Sequence, residues 1–367
     1  MIKYLHIENF KSILKMGLGM GRLNLLFGMN GMGKSSTIQT LLLCRQSFWK
    51  NAKMDMDLLY PNGELTWLGT TGEVFSMNAE SEEMDIDIVY EGNREYDLRY
   101  KFDLGNSHAV SFNRVNEGVI NDEVSLFNDD FVYLGAEHIG PRRKYSYSEW
   151  IENGINKFGA KGEFVVPFLA INGNSVSVPK MMCLENARTD LLIDQVSAWM
   201  EKISPGVRLN TELFSADQEA RLKIAYDGEK MVSDSYSPIN VGFGIPYVLP
   251  IIVALLTAKK DSLVLIENPE SHLHPKGQAA IAELMAKAAD YGIQIICESH
   301  SDHIINGVRV AVKEGTVKKE DVVVVYYYKD ADQNTQTIQI DMDDKGNLDR
   351  YPEGLLDEWG TLMAKLI

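Results

Sequence analysis

Positive charge is what this 367-residue chain has least of: 36 Lys and Arg stand against 52 Asp and Glu, a net charge of −16. That balance counts against a protein whose whole surface binds nucleic acid, because phosphate backbones would repel it. The best local basic patch is Arg142-Arg143-Lys144, which reads as a solvated loop. Cysteine is scarce as well. Cys44, Cys183 and Cys297 form no C-x-x-C pair, which argues against a zinc or disulfide framework and suits a reducing cytoplasm. No apolar run approaches the roughly 20 residues that span a bilayer, so no membrane contact is expected. MIKYLHIENF has no basic stretch followed by an apolar one, so no secretory signal is expected there. Internal repeats, heptad arrays and low-complexity tracts are missing too.

What is there is an ordinary globular composition, 45% hydrophobic and 24% charged, long enough for about two domains. The opening reads strand, turn, strand: IKYLHIENF alternates, and GRLNLLFG is an apolar run that ends in glycine. After Lys34, SSTIQTLLLCRQSF has helical spacing. Segments MDIDIVYEG, EYDLRYKFDL, AVSFNRV and FVYLGA, within about residues 64–135, alternate and read as an antiparallel sheet. Residues 142–180 read as an irregular excursion, ENARTDLLIDQVSAWMEKI (185–203) as an amphipathic helix, and RLNTELF with EARLKIAYDG as a strand pair. After residue 245, strands and helices alternate, which predicts a mostly parallel sheet with crossovers; the tail adds two strands and a helix.

Gly28-x-x-x-x-Gly33-Lys34-Ser35 fits the Walker A pattern, and the strand before it and helix after it argue against a chance match. Glycines let several backbone N–H groups face one anion at a helix start. Lys34 adds a point charge for the β- and γ-phosphates and Ser35 an oxygen for magnesium. SLVLIENPESHLHP is an apolar strand ending in an acid, the Walker B arrangement, with Glu267 in place of the expected Asp and Asn268 in place of the following Glu. Asn268 cannot take a proton, so it positions water, or Glu270 or a nearby histidine substitutes. His300, after the strand IQIIC, can hydrogen-bond a γ-phosphate; NVGFGI, with Asn240, Gly242 and Gly244, opens a helix whose N-terminus suits an anion. The long interval between Lys34 and Glu267 leaves room for an inserted lobe, which a compact G-domain or small kinase lacks. No N-K-x-D guanine reader is present.

This order of motifs resembles the ABC-type ATPase heads, in particular the prokaryotic AAA ATPases related to the overcoming-lysogenization-defect proteins and the heads of chromosome-maintenance ATPases. ENFKS, ENPESHLHP, ESHSDHIINGVR and YPEGLLDEW resemble a subgroup with a C-terminal domain of unknown function. The resemblance implies an α/β P-loop NTPase of ABC-ATPase-head type: a mixed or parallel core sheet, an N-terminal antiparallel β subdomain and an inserted helical lobe. It implies a nucleotide core at 1–60 and 230–325, a lobe at 61–229 and C-terminal strands and helix at 326–367. Gly28, Asn30, Gly31, Gly33, Lys34, Ser35 and Ser36 would bind ATP, and Ser35 and Glu267 magnesium. Glu267, Asn268, Glu270 and His300 would be the catalytic set. His272 to Pro275 fall at the D-loop, and Asn240, Gly242 and Gly244 at the signature facing a second copy. LGAEHIGPRR, with Glu137 and His138, falls near the Q-loop but contains no Gln. The long coiled coil of chromosome-maintenance proteins and the acidic nuclease cluster of the overcoming-lysogenization-defect proteins are both missing. The implied function is an ATP-dependent homodimerising switch for an effector such as a nuclease in prokaryotic defence or genome surveillance. The alternative is a nucleotide-binding scaffold with little hydrolysis.

Overall fold

Alternation in IKYLHIENF buries Ile2, Leu5 and Ile7 and makes it strand β1 (Ile2–Phe10). The computed structural model describes residues 1–53, 56–92, 94–147, 154–228, 233–356 and 362–366. It divides into two compact units: Met1–Phe131 with Lys319–Asp343 and Asn347–Ile367, and Val132–Lys318 with Asp344–Gly346. Among the described residues no helix is long and apolar enough to cross a membrane.

In the first unit β1 turns back into β2 (Ile13–Gly19), a strand missing from the sequence reading, where GRLNLLFG was the second strand. Asn9 and Lys11 take left-handed φ values of 60° and 51° in this turn, a conformation that non-glycine residues rarely advertise. Next come β3 (Leu23–Gly28), α1 (Lys34–Lys50), β4 (Leu58–Leu59), α2 (Thr71–Val74), β5 (Glu83–Tyr90), β6 (Arg94–Lys101) and β7 (Phe112–Arg114). The antiparallel sheet forms in the order β2-β1-β5-β6-β7-β4, but without the expected FVYLGA, whose strand Phe131–Leu134 lies instead beside Leu263–Glu267 in another sheet. Its buried face carries Met84, Ile86, Ile88, Leu98 and Tyr100, each contributing about 1.5–3 kcal/mol of burial. Buried Arg45 of α1 donates to the carbonyls of Leu126 (2.7 Å) and Asn128 (2.8 Å).

The middle of the chain supplies β8 (Phe131–Leu134), β9 (Tyr145–Ser146), α3 (Val165–Asn172), α4 (Leu192–Ile203), β10 (Val207–Phe214) and β11 (Glu219–Tyr226). Helix α3 corrects the irregular reading of 142–180: its Pro167 sits in the first turn, where a missing N–H costs nothing. Helix α4 starts at Leu192, not at 185, because the Gln195 side chain ties Leu184 N–H (2.8 Å) and Thr189 C=O (2.8 Å) into a turn ahead of it. Strands β10, β11 and β9 form an antiparallel sheet.

Strand and helix then alternate as expected: α5 (Gly244–Thr257), β12 (Leu263–Glu267), α6 (Pro275–Tyr291), β13 (Gln294–Glu298) and α7 (Asp302–Lys313). Strands β12 and β13 are parallel and wholly buried, with Glu267 level with Glu298. Back in the first unit, β14 (Val322–Lys329) lies parallel to β3 and antiparallel to β15 (Thr335–Ile340). The tail helix expected after β15 falls partly on 357–361 and 367, outside the described residues.

Candidate functional site

Three glycines with left-handed φ shape the loop between β3 and α1: Gly28 (139°), Gly31 (78°) and Gly33 (106°). Only glycine takes these values without strain. A Cβ on Gly28 would lie 2.5 Å from the Tyr327 carbonyl, one on Gly33 would strike the Thr335 hydroxyl, and one on Gly31 would meet nothing within 4 Å. So two glycines permit close packing behind the loop, while the third faces open space. Among the described residues, the N–H groups of Asn30, Gly31, Met32 and Gly33 donate to no protein acceptor. Helix α1 begins at Lys34 with no side-chain cap, leaving its positive end for an anion. Lys34 Nζ donates to the carbonyls of Gly28 (2.9 Å) and Met29 (2.8 Å). Ser35 and Ser36 follow in the first helical turn.

Two neutral hydroxyls, missed in the sequence, hold this loop from behind. Thr335 Oγ1 donates to Met32 C=O (3.0 Å), receives the Lys329 amine (3.0 Å) and lies 2.9 Å from Ser12 Oγ. Tyr327 OH meets Thr37 Oγ1 of α1 at 2.9 Å. Their distance along the chain hides them: the tail runs that carry Tyr327 and Thr335 read only as two strands.

The acidic end belongs to the second unit. Glu267 closes β12 at 8% exposure. Tyr133 OH donates to its Oε1 (2.9 Å), and the Ala136 N–H also bonds it. Burial, and then the charge of Glu298, push the Glu267 carboxyl up to about 7, against the pull of those two donors. Tyr133 and Glu298 are thus part of the site, though neither was singled out: period-2 patterns do not say which strand ends lie side by side. Asn268 sits at φ 50°, its N–H on the Glu298 carbonyl (2.9 Å); its buried Oδ1 has no hydrogen-bond partner among the described residues. Glu270 is committed: its oxygens accept from Ser299 Oγ (2.8 Å) and the His300 N–H (2.7 Å). It therefore shapes the turn that presents the exposed His300 ring rather than waiting as a loose base.

His138 Nε2 meets the Glu267 carbonyl at 3.1 Å, and burial lowers the imidazole's pKa. Tyr247 lies 5.8 Å from the His138 ring and 4.5 Å from that of His272. Glu137 is exposed and paired with Lys161 (2.7 Å). In the glycine segment Asn240 and Gly242 are exposed, and Gly242 has nothing within 4 Å of a Cβ. Gly244 opens α5 uncapped, and its Cβ would lie 2.7 Å from the His272 carbonyl. The basic run is solvated as expected, with Lys144 paired to Glu219.

The first unit thus gathers Gly28, Asn30, Gly31, Gly33, Lys34, Ser35 and Ser36 into one loop; the second gathers Glu267, Asn268, Glu270 and His300 at two adjacent strand ends. Among the described residues no three His, Cys, Asp or Glu could ligate a metal together. Magnesium needs few protein oxygens, because it keeps waters and phosphate oxygens for most of its shell, and the Ser35 hydroxyl is of the kind it takes.

Residues 218–306 match a family described as "AAA domain, putative AbiEii toxin, Type IV TA system", and residues 317–366 match a protein family of unknown function, DUF3696. The fold is that of Smc head domains. An SmcHead bound to the C-winged helix domain of ScpA is 14% identical with a TM-score of 0.52, covering 93% of this chain and 98% of that one. An Smc head with an extended coiled coil, bound to the C-terminal domain of ScpA derived from Pyrococcus furiosus, is 12% identical with a TM-score of 0.50, covering 100% and 99%. No curated protein matches the chain.

Proposed function

We propose that this ABC-type AAA ATPase head, related in fold to those of chromosome maintenance, is a cytoplasmic switch that binds ATP and magnesium, dimerises, and controls a partner effector. The reading is carried by the loop at 28–33, where N–H groups without protein acceptors surround a glycine open to solvent. Gly28, Asn30, Gly31, Gly33, Lys34, Ser35 and Ser36 hold the triphosphate. Ser35 gives magnesium a protein oxygen; Glu267 and His300 are the acid and the imidazole that the second unit's strand edge offers. Magnesium, when bound, neutralises phosphate charge.

Asn240 and Gly242, exposed at the entry to α5, meet the nucleotide of a second copy, and Gly244 sets the approach of that segment to His272. Hydrolysis is slow, because Asn268 cannot accept a proton and Glu270 is held by Ser299 and His300. Should turnover prove absent, those same two observations favour a nucleotide-binding scaffold. The matched family's description supports a place in prokaryotic defence, and the relatives solved with ScpA support a protein partner. An effector nuclease fits that role.

Gel filtration decides the matter. ATP, but not ADP, shifts the protein from monomer to dimer, and Lys34→Ala abolishes the shift. An unchanged elution volume with ATP, in the wild type and in Glu267→Gln alike, rejects the switch.

A further inference from the structure

Beside α2 the first unit holds a groove of about 660 Å³ that the nucleotide chemistry leaves unused. Phe75 and Phe102 are its floor, stacked 4.4 Å apart with rings inclined by 9°. Leu104 and Met77 stand on its rim, 69% and 97% exposed. The stacked floor is itself 8% and 7% exposed, so the apolar surface left open to a cover is that of Leu104 and Met77. The remaining rim is acidic. Glu80 makes no ion pair among the described residues. Glu73 uses Oε2 to cap α2 at Thr70, and Glu82 meets Lys101 at 3.6 Å. His108 is the one basic side chain that lines the groove.

We propose that this groove docks a basic, amphipathic segment of a partner protein and that its occupancy is coupled to the nucleotide loop; taking that partner as the effector rests on the switch reading above. Apolar residues of the segment cover Leu104 and Met77 above the buried Phe75–Phe102 stack, and its Lys or Arg side chains meet Glu80 and Glu73. Nucleic acid and an anionic membrane are disfavoured by the same carboxylates. A free polyamine would satisfy the carboxylates and leave Leu104 and Met77 uncovered.

The coupling follows two short paths. Asn78, between the lining residues Met77 and Ala79, donates from Nδ2 to Asn334 Oδ1 (2.7 Å) and to Asp332 C=O (3.2 Å) in the β14–β15 turn. Thr335, next in the chain, donates to Met32 C=O in the phosphate loop. From the floor, the backbone flanking Phe75 pairs with the turn after β1: Lys11 N–H to Val74 C=O (2.7 Å) and Ser76 N–H to Asn9 C=O (3.1 Å). Lys11 Nζ reaches Gln39 of α1 (2.6 Å), and Ser12 reaches Thr335. Both paths end on the loop, so a segment that shifts residues 75–78 shifts Met32 and Thr335 with them. The turn's left-handed Asn9 and Lys11 give the second path little slack.

The test uses a short fluorescent Lys/Leu amphipathic peptide, its Glu/Leu counterpart and spermine, on the full chain without nucleotide. The Lys/Leu peptide binds, its counterpart does not, and Glu80→Lys and Leu104→Ser each weaken binding about tenfold. Both positions are exposed, so the variants keep the wild-type melting temperature. Saturating peptide changes the affinity for ATP, and ATP changes the peptide's by the same factor. Asn78→Ala and Thr335→Val reduce that factor and leave peptide affinity alone. Docking is overturned if the Glu/Leu peptide binds equally, if both groove variants are neutral, or if spermine displaces the peptide while Leu104→Ser is neutral. Coupling is overturned if bound peptide leaves ATP affinity unchanged. Peptide binding needs neither ATP nor a second copy, so failure of the groove and failure of the switch are told apart.

Discussion

The phosphate loop and the acidic strand edge solve opposite problems. The loop grips with backbone: its shape comes from three glycines, its supports are the neutral hydroxyls of Thr335 and Tyr327, and its one cation, Lys34, is folded onto the loop's own carbonyls. The edge works with charge: it buries the Glu267 and Glu298 side chains level with one another and holds the first with Tyr133. A backbone grip is insensitive to pH and intolerant of added atoms; a buried acid pair is the reverse. Substitutions in the two regions should therefore fail in different assays, and each prediction below tries that contrast.

The largest effect is expected at Lys34. Its two carbonyl bonds show the reach of the ammonium across the loop, and bound phosphates would replace those acceptors with charged ones. Two charge-assisted contacts at about 1.5–3 kcal/mol each put the loss in Lys34→Ala near 4 kcal/mol, roughly a thousandfold in ATP affinity. Titration calorimetry measures it, and the loss should be the same at about pH 8 and about pH 9, where the γ-phosphate is fully ionised and lysine still charged. A loss that varies with pH would break the contrast.

At the edge, pH is the variable. The Glu267 carboxyl ionises near its ordinary 4.5 in the unfolded chain and near 7 in the folded protein without nucleotide or magnesium. Between those values the folded state keeps a proton that the unfolded state has lost. Stability is thus full below 4.5, falls as pH rises toward 7 and is level above it, by about 3 kcal/mol in all. Urea midpoints across this window should show the slope, and Glu267→Gln should flatten it.

The same contrast explains what could be read without coordinates. Walker A was legible because glycine spacing encodes backbone geometry, and the α/β alternation after residue 245 because whole elements share one apolar period. Glu267 was legible as the acid ending an apolar run. Its neighbours were not: Tyr133 and Glu298 meet it only through strand order, and the Thr335 hydroxyl reaches the loop from the far end of the chain. Glu270 shows the reverse case. A carboxylate near a catalytic motif looks like a base until its two hydrogen bonds are seen. Strand β2 escaped because its two glycines weaken the pattern, and α3 because Pro167 and flanking glycines read as loop.

Tyr133→Phe makes a smaller change within the edge. It removes the donor on Glu267 Oε1, costs about 1 kcal/mol, and takes away a contact that holds the carboxyl's pKa down. The falling limb of stability should therefore extend to higher pH, while ATP affinity at the loop stays put. An unshifted limb would mean that the phenol does not engage the acid in solution.

The smallest effect on stability is expected at Gly242, and that makes it the sharpest test of the dimer. Its Cβ would meet nothing within 4 Å, and its φ lies outside the left-handed region, so Gly242→Ala should change stability by less than about 0.5 kcal/mol. Gly244 differs, because its Cβ would press on the His272 carbonyl, and Gly244→Ala should lower the melting temperature. If exposed Gly242 faces the nucleotide of a second copy, the added methyl should weaken ATP-dependent dimerisation with folding and monomer ATP affinity intact, a separation that gel filtration and calorimetry on one variant can read. Unimpaired dimerisation in Gly242→Ala would remove this segment from the interface, whatever the loop and the edge do.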